Sequence, residues 1–184
     1  MIFNKHLELA NAHAFLSPSK YHWLRYDEGT LADRFANHRE AAEGTELHAL
    51  AATCITKGIR LLETGATLNM YVNDAIGFHM TPEVSLAYSE NAFGTADAIG
   101  FDGDILRIHD LKTGRTKPSM DQLRIYAAFF ALEYEVEPED HETILRLYYM
   151  DDIIEEVADT RYIRECMATI IHFDKLLSQW RTEV

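Results

Sequence analysis

The segment GTADAIGFDGDILRIHDLKTG, residues Gly94 to Gly114, sets the arrangement of the predicted central sheet. It predicts two β-strands, 95–101 and 105–111, because Asp-Gly between alternating apolar segments is a strong short-range hairpin signal. With Asp102-Gly103 as the turn, Phe101 is predicted to face Asp104, and Asp97 to lie opposite Ile108. Since side chains alternate along a strand, we expect Asp97, Asp110 and Lys112 on one face of the sheet.

The carboxylates of Asp97 and Asp110 are then diagonal neighbours on adjacent strands, roughly 7 Å apart or less. At that separation two carboxylates can share a divalent ion, whereas without one they repel each other. Such an ion polarises a phosphoryl oxygen and lowers the pKa of a bound water. A lysine beside it, here Lys112, can position that water or offset charge that builds on the phosphate. The pattern therefore indicates hydrolysis of phosphodiester bonds.

Helical and strand patterns surround this hairpin in a fixed order. Predicted helices span about 17–28, 39–63, 67–80, 119–133 and 160–180, and predicted strands span 84–88, 95–101, 105–111 and 143–150. The first helix would open with Ser17 as N-cap and Pro18 at its first position and end at Gly29. Ser119 and Gln122 have the spacing of a capping box. We therefore predict an α/β (mixed α+β) fold in a single domain of residues 1–184, with helices over about 17–80 and the core over about 81–184.

Composition limits the function further. A hydrophobic content of 47% with 26% charged residues is ordinary for a globular protein. No apolar run reaches the ~18 residues of a membrane span, and the first residues lack a signal-peptide core, so we expect a cytoplasmic protein without a membrane partner. Cys54 and Cys166 are expected to be buried thiols and cannot alone hold a zinc ion or an iron–sulfur cluster. The net charge of −13 predicts weak intrinsic affinity for DNA, or a partner that brings the substrate.

The spacing of the polar residues resembles that of a known superfamily. Gly94-x-x-Asp97 is followed after twelve residues by Asp110-x-Lys112-Thr-Gly114, and then by Gln122-Leu-x-x-Tyr126-Ala. This series resembles the PD-(D/E)XK nucleases and is most similar to their RecB-type branch, which includes the nuclease domain of bacterial recombination helicases and CRISPR-associated adaptation nucleases. Upstream, the segments 16–23 and 40–49 resemble an uncharacterised phage-encoded group with the same core. The resemblance covers about residues 16 to 135.

The resemblance implies a restriction-endonuclease-like core, with a central mixed sheet of about four to five strands flanked by helices. It implies a metal-dependent deoxyribonuclease, and we expect an exonuclease in phage or bacterial DNA recombination or repair. Asp97 and Asp110 would bind the metal with His48 and the Leu111 carbonyl, and Lys112 would be catalytic. An imidazole with two carboxylates suits Mn²⁺ at least as well as Mg²⁺. Two cysteines exclude the cysteine-ligated cluster of adaptation nucleases.

Several positions leave alternatives open. Gln122 either contacts substrate or Lys112, or serves only in the capping box, and Tyr126 is either catalytic or structural. His48, one of nine histidines, is either a ligand or a structural helical residue. Gly44 would cost about 1 kcal/mol against Ala inside a helix, so either a close approach or a helix start is expected there. The expected contacts to the phosphate backbone follow the strand that carries Asp110 and Lys112: Thr113, Arg115 and Lys117, extended by Arg124.

Two other function classes compete with an active nuclease. A catalytically silent accessory protein that binds DNA or a protein partner agrees with the charge of −13, but it leaves the intact set of Asp97, Asp110 and Lys112 without a purpose. A structural domain or protein inhibitor also leaves that set unexplained. The sequence contains no helicase motor or Gly-rich phosphate loop, so a recombination or helicase partner would have to supply any unwinding.

Overall fold

The computed structural model describes residues 15, 16, 18–114 and 118–182. Most of the amino-terminal region, together with Ser17, Arg115 and Lys117, lies outside the described residues. The chain divides into two compact units, Met1–Glu43 and Gly44–Val184. The prediction of a single domain stays a prediction.

In the first unit, a 3₁₀ helix spans Pro18–Arg25 and helix α1 begins at Glu28, running to Lys57. The start of α1 has a local cause, because the Thr30 N–H donates to Asp27 Oδ1 at 2.7 Å, as in an N-cap. The predicted boundaries are therefore wrong at this end. No α-helix ends at Gly29, which lies in the first turn of α1, and the long helix begins well before residue 39.

The second unit opens with the end of α1, which stops at Lys57 rather than at the predicted residue 63. Gly58 takes a left-handed φ of +64°. The Gly58 N–H donates to the Ile55 carbonyl and the Ile59 N–H to the Cys54 carbonyl, which closes the last turn. The helical spacing of apolar residues continues beyond Lys57, which is why the sequence predicted a helix up to residue 63. Helix α2, Thr67–Gly77, likewise ends before the predicted residue 80.

A five-stranded mixed sheet forms the centre of this unit, and its strands lie side by side in chain order. They are β1 (Thr81–Ser89), β2 (Ala92–Asp102), β3 (Ile105–Lys112), β4 (Glu142–Tyr149) and β5 (Asp152–Val157). Only the β3–β4 pair is parallel, and helix α3 (Asp121–Tyr134) makes the crossover that this pair requires. Helix α4 spans Thr160–Thr182. The predicted mixed α/β architecture, a mixed sheet flanked by helices, is confirmed.

Strand β5 is an edge strand that the sequence pattern did not reveal. It pairs antiparallel with β4 through a tight turn at Met150 and Asp151, with φ of +50° and +59°. Such turns normally carry Asn or Gly, and neither occurs here, so the usual hairpin signal is absent.

Two core clusters lie on opposite faces of the sheet. One contains buried residues of α3 with Ile163 of α4, and the other contains residues of α2 with Ala51, Cys54 and Ile55 of α1. Cys54 is buried as predicted, whereas Cys166 is only partly buried. The sheet is therefore covered by helices on both faces.

The β2–β3 hairpin forms, but its register differs from the prediction by two residues. Phe101 pairs with Leu106 rather than with Asp104. The reason is that the turn is centred on Gly103, at φ +60°, and Asp104, one position later than predicted. A shift of two preserves the alternation of side chains, so the error does not by itself move residues to the other face.

The alternation of side chains between the two faces of the sheet is interrupted in β2 at Asp97. Ala96 packs in the cluster against α3, whereas Ala98 packs in the cluster against α2. In a regular strand residues 96 and 98 share one face. The pairing with β3 also stops at Ala98 and His109. The prediction placed Asp97 beside Asp110 by regular alternation, and that reason is wrong, because the alternation of side chains in β2 is interrupted at Asp97.

Candidate active site

The end of β3 carries a buried carboxylate and a lysine that contact each other. Lys112 Nζ lies 2.8 Å from Asp110 Oδ2 and 3.1 Å from Oδ1. Asp110 is only 2% exposed, and its Oδ2 has no hydrogen bond of good geometry. Burial raises the pKa of Asp110, and the charge of Asp97 adds to the rise, while Lys112 opposes it. A cation is the kind of neighbour that stabilises such a carboxylate.

Helix α3 supplies a second contact to the lysine. Lys112 Nζ donates to Gln122 Oε1 at 2.8 Å, so the ammonium is held between an amide oxygen and the Asp110 carboxylate. The predicted capping box does not form. Ser119 Oγ instead accepts from the Asp121 N–H at 3.1 Å and donates to Asp121 Oδ2 at 2.7 Å. Of the alternatives for Gln122, the contact with Lys112 is the one that the structure contains.

Tyr126 lies one turn further along α3. Its hydroxyl donates to the Thr95 carbonyl at 2.5 Å, and burial raises the pKa of the phenol. Gly94 makes room for the ring, because a Cβ atom there would lie 3.0 Å from Tyr126 Cε1. Tyr126 therefore ties α3 to strand β2 two residues before Asp97.

Asp97 and His48 meet on the other side of the site. His48 Nδ1 lies 3.3 Å from Asp97 Oδ2, and the Leu111 backbone N–H donates to the same oxygen at 2.9 Å. The hydrogen bond to Asp97 raises the pKa of His48, and burial opposes that rise. The leucine side chain is buried in the cluster against α2. Its carbonyl as a metal ligand stays a prediction.

Gly44 explains how α1 brings His48 to the end of β3. A Cβ atom on Gly44 would lie 2.6 Å from Thr113 Oγ1, which is closer than real Cβ contacts. Gly44 is buried and lies inside α1. Of the two explanations expected for this glycine, it is therefore the close approach of a neighbour, and not the start of a helix, that the structure contains. Thr113 thus contacts the helix that carries His48.

Glu83 lies close to His48 and Asp97, although no sequence pattern indicated it. Ligand atoms of His48, Glu83 and Asp97 all lie within 4.8 Å of one another. On β1, Pro82 pairs with Ala98 and Val84 with Ala96, so Glu83 lies opposite Asp97. The register of this strand pair shifts at a bulge between residues 87 and 89, and no turn signal in the sequence fixes such a register. Partial shielding of the Glu83 carboxylate from solvent raises its pKa, and the charge of Asp97 adds to the rise.

Arg124, one of the predicted phosphate contacts, is paired with acidic side chains of the protein itself. Arg124 donates to both carboxylate oxygens of Glu156 at 2.7 and 2.8 Å and to Asp121 Oδ1 at 2.8 Å. Its guanidinium is thus held by two carboxylates. The remaining basic pair, Arg115 and Lys117, lies outside the described residues. These contacts to DNA stay predictions.

Within the part of the chain that the structure describes, no helix has an apolar stretch long enough to cross a bilayer.

No family model matches the chain, and no curated protein matches it. A solved structure, described as the crystal structure of SSO0001, aligns with 83% of this chain and 68% of its own chain. The identity is 18% and the TM-score is 0.38, a likeness too low to carry an argument about function. The membership of the PD-(D/E)XK superfamily therefore stays a prediction from the motif residues.

Proposed function

We propose that this chain is a metal-dependent deoxyribonuclease, an exonuclease of phage or bacterial DNA recombination or repair that acts in the cytoplasm. One observation carries the proposal. Lys112 is held by Asp110 and Gln122 at the end of β3, next to the group formed by His48 and Asp97.

The residues at this place fit a divalent ion. Asp97, Asp110 and His48 would hold Mn²⁺ or Mg²⁺, since carboxylate oxygens and a neutral imidazole are ligands for such ions. The fit is supported by Asp110, a buried carboxylate whose Oδ2 lacks a good hydrogen bond. When bound, the ion would polarise a phosphoryl oxygen and lower the pKa of a water.

The protein side chains have separate tasks in this proposal. Lys112 places a positive charge where negative charge builds on the phosphate, and Gln122 limits the directions that the ammonium can take. His48 must be neutral to act as a ligand, so its raised pKa makes protons compete with metal. Tyr126 positions α3, because its hydroxyl is bound to the Thr95 carbonyl.

The acidic balance of the chain shapes how DNA would bind. With a net charge of −13, phosphate contacts alone give little affinity, so the metal and a recombination or helicase partner would bring the substrate. The same charge favours a second candidate function, a catalytically silent accessory protein that binds DNA or a protein partner.

Cleavage assays separate these two functions. Purified protein is incubated with Mn²⁺ or Mg²⁺ and with linear duplex, circular duplex or single-stranded DNA. We expect degradation of linear DNA and resistance of closed circles. Lys112→Ala should be inactive, whereas Lys175→Ala, which removes an exposed lysine of α4, should retain activity. A wild-type protein that binds metal but cleaves none of the substrates would favour the accessory function.

A further inference from the structure

We propose that Glu83 is a metal ligand, so that a divalent ion is held by α1, β1 and β2 together through His48, Glu83 and Asp97. The inference rests on the proposed function, because it assumes that this site binds metal. It adds a residue that neither the motif spacing nor the resemblance assigns.

The geometry is the first support. The three ligand atoms lie within 4.8 Å of one another, although their residues come from three separate elements. A bound ion can take ligands at about 2.0–2.2 Å, so donor atoms at these mutual distances can surround one centre after small side-chain adjustments. Glu83 is exposed and needs no repacking of the core to reach the ion.

The distribution of charge is the second support. Lys112 pairs with Asp110, and Gln122 holds its ammonium from the other side. Within the residues that the structure describes, no lysine or arginine forms an ion pair with Glu83 or Asp97. Glu83 and Asp97 therefore repel each other without a compensating lysine or arginine, and a divalent ion would offset that repulsion.

Asp110 is a further carboxylate near this group, paired with Lys112 but with one oxygen, Oδ2, that lacks a hydrogen bond of good geometry. Burial of this carboxylate raises the pKa of Asp110, and the charge of the nearby Asp97 adds to the rise. Two acidic groups thus face the site from β2 and β3, and Glu83 adds a third from β1. Asp110 is not one of the three residues whose ligand atoms lie within 4.8 Å of one another, but it is near enough to interact with the charge of Asp97.

Mn²⁺ titration followed by calorimetry and by electron paramagnetic resonance tests the inference. Four proteins are compared: wild type, Glu83→Gln, Asp97→Asn and Glu46→Gln. The last variant is the matched control, because it removes an exposed carboxylate two residues from His48 without touching the group of three. Circular dichroism confirms that each variant is folded.

We expect Glu83→Gln to weaken Mn²⁺ binding at least about tenfold, while Glu46→Gln changes it less than about twofold. Equal binding by Glu83→Gln and wild type, with binding lost in Asp97→Asn, would overturn the role of Glu83 and leave the proposed nuclease site intact. Equal losses in Glu83→Gln and Glu46→Gln would also overturn it, because a general charge effect would then suffice. Unchanged binding in Asp97→Asn would instead remove the metal site on which the proposed function depends.

Discussion

Gly44 and Thr113 lie so close that a Cβ atom on residue 44 would come within 2.6 Å of Thr113 Oγ1. Because His48 follows one turn later on the same helix, this contact sets how near its imidazole comes to Asp97. The absence of one side chain on α1 therefore affects the geometry of the candidate metal site.

Gly44→Ala tests that relationship. Alanine favours a helix by about 1 kcal/mol over glycine, but here the new methyl group must push Thr113 or the helix away. We expect Mn²⁺ affinity to fall severalfold while thermal stability changes little. In a Thr113→Ala background the clash is relieved, so Gly44→Ala should raise stability by up to about 1 kcal/mol and restore metal affinity. An additive double-mutant cycle, measured by calorimetry and thermal unfolding, would contradict the contact.

Asp110→Asn should stabilise the metal-free protein at neutral pH. Burial and the Asp97 charge raise the pKa of Asp110, so the folded state holds a proton more readily than the unfolded chain. The free energy of unfolding therefore falls as pH rises from the ordinary aspartate pKa to the raised pKa of Asp110. Above the raised pKa it stays at the lower value. We expect a gain on the order of 1 kcal/mol at pH 7, a few degrees in Tm, that shrinks towards pH 4.

Asp121→Asn is the matched control for that experiment. Hydrogen bonds, first from Ser119 and then from Tyr162, lower the pKa of Asp121. Its contribution to stability is therefore present above the ordinary aspartate pKa and is lost as pH falls. The two variants should shift Tm in opposite directions at pH 7. A decrease in both would show that loss of Asp110 contacts outweighs its buried charge.

Lys112→Ala should lower the rate of cleavage at least about a hundredfold, since it removes the positive charge next to the reacting phosphate. Gln122→Ala should lower the rate only about tenfold. The loss is smaller because Asp110 still holds the Lys112 ammonium when the amide is gone. Both variants should retain Mn²⁺ binding, measured by calorimetry at pH 8. A Lys112→Ala protein that cleaves at the wild-type rate would make the lysine a bystander.

The affinity for Mn²⁺ should rise with pH, and His48 should account for part of the slope. The hydrogen bond to Asp97 raises the pKa of His48, and a proton on the imidazole excludes the metal. Below that pKa one competing proton changes affinity by roughly tenfold per pH unit. His48→Gln should bind less tightly and with a shallower slope, whereas His172→Gln, which alters an exposed position of α4, should keep the wild-type slope. Parallel slopes in all three proteins would remove His48 from the ligand set.

Local chemistry explains which parts of the site the sequence predicted. Asp110 and Lys112 are two residues apart on one strand, so their contact needs only strand geometry. Glu83 depends on the pairing of β1 with β2, and a bulge shifts that pairing. Asp97 reaches the site because the side-chain alternation of β2 is interrupted there, which no period-two pattern contains. The start of α1 is set by the Asp27 side chain, where apolar periodicity gives no boundary.

DNA binding by this acidic chain should depend on metal and only weakly on salt. At a net charge of −13, few phosphate contacts are available, and each contributes about −0.9 to the logarithmic salt slope. Arg124→Ala should leave that slope almost unchanged, because Glu156 and Asp121 already hold its guanidinium. The joint change Arg115→Ala and Lys117→Ala should reduce it by up to about 2. These measurements use the Lys112→Ala background with Ca²⁺ or with chelator. Tight, steeply salt-dependent binding in chelator would mean that a basic surface rather than the metal site binds DNA, and would favour the accessory function.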